Sequence, residues 1–135
     1  MAYPPVGVKR VGCALLLAAL TVLSACTSAE MKAVRSMPIN HVELSKVKDG
    51  EYSGGYAYGG FSYEVKVTVA DHQVKNIVVS ANRTTKHARM AEAVTKSILE
   101  MQKNDVDVVS GATTTSKALL KAVENALVKG LEGPQ

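Results

Sequence analysis

Between Glu51 and Ala81 apolar and polar residues alternate with a period of two. In FSYEVKVTV, Phe61, Tyr63, Val65, Val67 and Val69 fall on one side and Ser62, Glu64, Lys66 and Thr68 on the other. That pattern predicts a strand with one face buried. Ahead of it EYSGGYAY ends at Gly59-Gly60, a pair suited to a hairpin with positive φ angles. Behind it ADHQ turns the chain into VKNIVVSA, a third strand rich in Val and Ile. Asp49-Gly50 is the turn that opens the unit. Three strands joined by short links make an antiparallel meander.

The period then becomes helical. ARMAEAVTKSILEMQ places Met90, Val94, Ile98 and Met101 on one stripe, which predicts a single helix with those side chains against the sheet. VDVV, Val106 to Val109, reads as extended chain that could add one more short strand. KALLKAVENALVKGL puts Leu119, Leu120, Val123, Ala126 and Leu127 on a second stripe, and Gly130 stands where a C-terminal cap is useful. The expectation is an α+β fold, a small antiparallel sheet with two helices packed on one face. The folded unit runs over 49–131 and a frayed tail over 132–135. Upstream, 26–48 has mixed polarity and Pro38 in its middle, and reads as a spacer with one loose helical turn before Met37.

The beginning of the chain is of another kind. Lys9 and Arg10 precede an uncharged apolar run from Val11 to Val22, shorter than the roughly 20 residues of a membrane-spanning helix. It has the length of a signal-peptide core. LSAC, Leu23 to Cys26, resembles the lipobox of bacterial lipoproteins, in which the peptide is cut before a cysteine whose sulfur carries a diacylglycerol. The resemblance implies a signal peptide over 1–25, lipidation at Cys26, and a position on the extracytoplasmic face of the cell membrane. The remaining cysteine, Cys13, would leave with the signal, so the mature domain would have no disulfide framework, thiolate metal site or C-x-x-C-H haem attachment. Of the formal charge of +4, Lys9 and Arg10 carry two, and the rest is interspersed with acids. Nucleic acid is therefore not an expected partner, and with no Trp and one Phe stacking platforms for single strands are not expected.

SGATTTS, Ser110 to Ser116, carries the candidate chemistry, and its residues alone support two readings. Ser and Thr are good N-caps, because their oxygens accept from free amides in the first helical turn. The same helix start, approached through Gly111 and Ala112, would suit a phosphate, with Lys117 in the first turn easier to place if an anion is near. A threonine hydroxyl is a weak nucleophile without an activating base, and no His lies near it in sequence. His41, His72 and His87 are scattered, and each reads as a solvated loop residue. Arg83, Lys86 and Arg89, in NRTTKHAR, read as a solvated basic loop that could also face an anionic group. Tyr56, Tyr58 and Tyr63 read as sheet packing.

D-x-x-S-G-A-T, from Asp107 to Thr113, closely resembles the flavinylation motif of the FMN-binding domain family, which includes subunits of the sodium-translocating NADH:quinone reductase and of the Rnf complex. DGEYSG, the strand hairpin, the following helix and ALLKAVENAL extend the resemblance over about residues 49 to 130. It implies an electron carrier or redox subunit, with no substrate-reducing catalytic residue and no metal site of its own. It makes Thr113 the acceptor of a covalent FMN phosphoester, Ser110, Gly111 and Ala112 the shape of the loop, Thr115 and Ser116 the adjoining hydroxyls, and Asp107 part of what the modifying enzyme recognises. That enzyme would be an FAD:protein FMN transferase, which cuts FAD at the pyrophosphate with magnesium. Membrane or extracellular redox proteins are the implied partners. A non-covalent FMN module and a flavin-free structural lipoprotein are the alternatives. Asp71-His72 departs from the Asp-Gly common in the family at that turn.

Overall fold

The structure is a computed structural model that describes residues 28–132. The expected signal peptide, Cys26 and the last three residues lie outside that range. Strands β1 (Gly50–Tyr58), β2 (Phe61–Ala70) and β3 (Gln73–Ala81) form one antiparallel sheet in the order β1-β2-β3. Helix α1 occupies 28–36, α2 Lys86–Ala91, α3 Ala93–Met101 and α4 Thr113–Glu132. The α+β architecture is therefore the expected one.

The alternation of β2 is realised where the helices cover it. Tyr63, Val65, Val67 and Val69 are buried, and they face α4, whose Leu119, Leu120, Val123, Ala126 and Leu127 are buried in turn. α4 lies along β1 at close range. A Cβ on Gly54 would collide with the backbone of Ala122 and Ala126. A Cβ on Gly130 would stand 2.5 Å from Val47 Cγ1 and 2.9 Å from Tyr52 Cε2. Gly130 is thus a packing residue inside α4, not the cap expected of it.

Other expectations change for equally physical reasons. The single helix after β3 is two, because at Glu92 the bonding tightens to i→i+3, with Glu92 N donating to Arg89 O and Thr95 N to Glu92 O. The buried stripe becomes Ala88, Ala91, Val94 and Ile98, while Met90 and Met101 are exposed. Alanines suit α2, which packs on α4, and methionines are left at the rim of a narrow sheet. No fourth strand forms among the described residues: Val106 is buried without pairing, and Val108 and Val109 pack on the core. Phe61 is 44% exposed, because the hairpin end of β2 runs beyond the helix layer.

The segment expected to be a spacer is part of the core from α1 onward. Val34, Val42 and Val47 are buried. Asn104, fully buried, accepts from Val42 N at 2.8 Å and donates to Asn40 O at 2.7 Å. Glu124 accepts from Asn40 N at 2.9 Å, and Lys48 N donates to Gly130 O at 2.9 Å. Three widely spaced valines in a polar segment are a weak signal in sequence, yet all three join the core cluster, Val47 against Gly130 of α4.

The Asp71-His72 turn keeps its tight form without glycine, with φ angles of 53° and 60°. Asp and His are among the non-glycine residues found most often in the left-handed region, and glycine enters it with no Cβ penalty. His72→Gly is expected to stabilise the domain by roughly 0.5–1 kcal/mol, the left-handed penalty less the extra chain entropy of glycine. The check is a denaturant midpoint that rises at unchanged slope.

Candidate functional site

The motif loop is built by one turn and one serine. Ala112 N donates to Val109 O at 3.0 Å, closing a turn through Ser110 and Gly111. Gly111 sits at φ 81°, a conformation that glycine supplies without strain. Ser116, fully buried, accepts from Val109 N at 3.1 Å and ties the turn to the helix that follows. α4 then begins at Thr113, with Ser116 N donating to Ala112 O. The residue before the helix is Ala112, which has no oxygen to cap with. The amides of Thr113, Thr114 and Thr115 have no partner among the described residues. Three free N–H groups at the positive end of a 20-residue helix face the space beyond.

That space is a cleft of about 340 Å³ lined by Gly111 to Thr115, by Met31 and Arg35 of α1, by Tyr58 at the end of β1, and by Arg83 and His87 around the start of α2. A second cavity of about 200 Å³ adjoins it through Met31, Tyr58 and Arg83, and adds Glu30, Gly59 and Phe61. Together they fall within the usual size of small-molecule sites, roughly 300–1,000 Å³. One end is polar and cationic, the other aromatic. Arg35 Nε donates to Thr114 Oγ1 at 2.9 Å, and the Arg83 guanidinium lies 4.0 Å from the Phe61 ring centroid. Neither arginine has an ion-pair partner among the described residues. Glu30 is the acid at the aromatic end, where it accepts from Gly59 N at 3.1 Å.

Beneath the cleft, Tyr58 and Tyr63 stack with centroids 5.4 Å apart. Tyr63 is fully buried, and its hydroxyl and Arg83 Nε are buried without hydrogen-bond partners. Burial first, and then the Tyr58 hydroxyl, push the Tyr63 phenol up to about 12. It stays a protonated donor at neutral pH. Three free amides and two arginines without an ion-pair partner, beside Tyr58 and Phe61, fit an anionic group with a flat apolar part, as a flavin mononucleotide has.

The residues singled out in the sequence divide as follows. Gly111, Ala112, Thr113 and Thr115 line the cleft with Thr114. Asp107 and Ser110 are exposed on the loop leading to it. Ser116 is turned inward, so its hydroxyl is structural and out of the cleft. Lys117 Nζ donates to Met37 O at 3.0 Å, which answers the question of its place near the helix dipole without an anion. Tyr58 and Arg83 line the cleft, while Lys86 and Arg89 line a separate surface depression with Met90. Arg35, Phe61 and His87 were not singled out as site residues. The signal for Phe61 was its place at a hairpin end, where an inward register no longer meets a helix.

A family model described as FMN-binding domain matches residues 58–128, just over half of the chain. An uncharacterized protein of Treponema pallidum (strain Nichols) is 34% identical over 85 residues, covering 62% of this chain and 24% of that protein. An NADH:acrylate oxidoreductase of Vibrio harveyi is 33% identical over 100 residues, covering 72% of this chain and 9% of that enzyme. The chain therefore spans a small part of either relative. With the motif, the cleft at the start of α4 and the family match in agreement, this chain belongs to the FMN-binding domain family.

Proposed function

We propose that this protein is an electron-transfer flavoprotein that holds FMN by a phosphoester to Thr113 and is anchored by a lipidated Cys26 to the extracytoplasmic face of the cell membrane. The observation that supports it most is the coincidence of the motif with the cationic end of the cleft. Thr113 lines the cleft beside free amides, Arg35 and Arg83. The amides of Thr113 to Thr115 and these arginines would hold the phosphate, and Tyr58, Phe61 and Met31 would flank the ring system. A bound flavin supplies the ability to take two electrons and release them singly. This chain contributes position, a donor-rich surround and partial exclusion of water.

Among the described residues no base is hydrogen-bonded to the Thr113 hydroxyl, His87 being elsewhere in the cleft lining, so an FAD:protein FMN transferase would have to supply activation. Thr113 Oγ would bond to the FMN phosphorus of FAD as the pyrophosphate bond breaks and AMP leaves. Exposed Asp107, Ser110 and Gly111 would be readable by that enzyme. Because the chain covers 9% of the acrylate oxidoreductase, that enzyme's activity supports redox chemistry in general and no particular substrate here.

Two measurements test the reading. Protein made together with the transferase is expected to be yellow, and its flavin fluorescence should stay with the band on a denaturing gel. Flavin that is released by denaturation would leave the non-covalent module as the function. For the anchor, Cys26→Ala is expected to lose membrane association or remain unprocessed; a variant that fractionates and is cut like the parent overturns that part.

A further inference from the structure

If Cys26 carries lipid, the distance from membrane to cleft is set by very little chain. α1 begins at residue 28, Glu30 and Met31 already line the aromatic cavity, and Met31 and Arg35 line the cleft. Val34 is 2% exposed, so α1 is locked to the core. Three residues lie between Cys26 and Glu30, a span of at most about 14 Å even if fully extended. An anchored domain of this build has no long spacer to stand off on, and its cleft side is held near the lipid headgroups.

The surface on that side is suited to them. Arg35 and Arg83 at the cleft, and Lys86 and Arg89 beside it, have no ion-pair partner among the described residues. Arg89 is held by a bond to Thr84 O at 3.1 Å, and Met90 is exposed among these cations at 42%. Glu30, engaged with Gly59 N, is the acid in the neighbourhood. Cations around an exposed apolar side chain are the composition that adsorbs to anionic lipid. We propose that the surface formed by Lys86, Arg89 and Met90, beside the cleft, is the face with which the anchored protein lies on an anionic bilayer. The flavin cleft then opens toward the membrane plane, and its electron partner is one held in that plane. This rests on the lipid anchor proposed above; the FMN linkage is read separately.

The test uses the mature lipidated chain in vesicles of phosphatidylcholine alone or with about a third phosphatidylglycerol. Since Cys26 is the one cysteine after the signal and would be blocked by lipid, Met90→Cys provides a unique thiol at the face, and Val78→Cys, 48% exposed on the sheet, a control. Labelling by an uncharged polyethylene-glycol maleimide is expected to be at least fivefold slower at Met90→Cys in the anionic vesicles. Adding Lys86→Glu and Arg89→Glu should restore the rate, and Val78→Cys should label alike throughout. Equal rates at Met90→Cys in both lipids overturn the proposal and leave the basic face to an acidic protein. A chain that washes off the vesicles overturns it together with the anchor. Flavin fluorescence of the same samples on a gel reports the cofactor independently, since the thiol readout does not need it.

Discussion

Thr113→Val is expected to abolish covalent flavin, while Thr114→Val and Thr115→Val keep most of it. The three hydroxyls are chemically equal, and their surroundings separate them. Thr114 Oγ1 accepts from Arg35 at 2.9 Å. Thr115 is 8% exposed, within the first turn of α4. Thr113 is half-buried, lines the cleft, and its hydroxyl has no partner among the described residues. Valine keeps the shape and removes the oxygen, so the fold should survive the change. In-gel fluorescence should fall to background for Thr113→Val. Trypsin, cutting after Lys103 and Lys117, should release the flavin of the parent on the peptide from Asn104 to Lys117. A Thr113→Val protein that stays covalently yellow would move the linkage to a neighbouring hydroxyl and with it the position of the phosphate.

The second large effect is on stability. Val67 is fully buried, paired with Tyr52 on β1 and Ile77 on β3. Val67→Asp places a carboxylate there with no partner and should cost several kcal/mol, on the order of half or more of a small domain's stability. Lys66 is one position along and points outward, where it pairs with Glu51 at 3.0 Å with both side chains about half exposed. Lys66→Asp breaks that pair and should cost about 1 kcal/mol or less. Denaturant melts of the two variants measure the difference. Val67→Asp melting with the parent while Lys66→Asp unfolds would mean a strand shifted by one residue, because such a slip exchanges the two faces.

The strands and α4 were legible because each satisfies a local rule and a global one together. β2 alternates without a break over Tyr63 to Val69, and α4 repeats its stripe from Leu119 to Leu127, so the period alone names the buried face. The motif was legible for a different reason: D-x-x-S-G-A-T resembles the family's motif, whereas its hydroxyls alone fit a helix cap as well as a phosphate site, and the structure adds Gly111 at φ 81° just ahead of the start of α4. The stripe of α2 and α3 is legible at Val94 and Ile98 and fails at its ends, Met90 and Met101. Two methionines outweighed two alanines in the pattern, whereas contact with α4 selected the smaller side chains.

By itself, then, the sequence determined the three strands and their hairpins, the inward face of β2, the core stripe of α4 and the position of the motif loop. These depend on periodicity and turn chemistry, which act between residues near in the chain. Only the tertiary structure decided that residues 28–48 pack on the domain through Val34, Val42 and Val47, that Gly130 is a contact point between α4 and Tyr52, and that Arg35, Arg83 and His87 share the cleft with Thr113. Arg35 and Thr114 are 79 positions apart and meet at 2.9 Å. No local pattern encodes such a meeting, because it depends on where α1 finds room against a sheet and helix already packed.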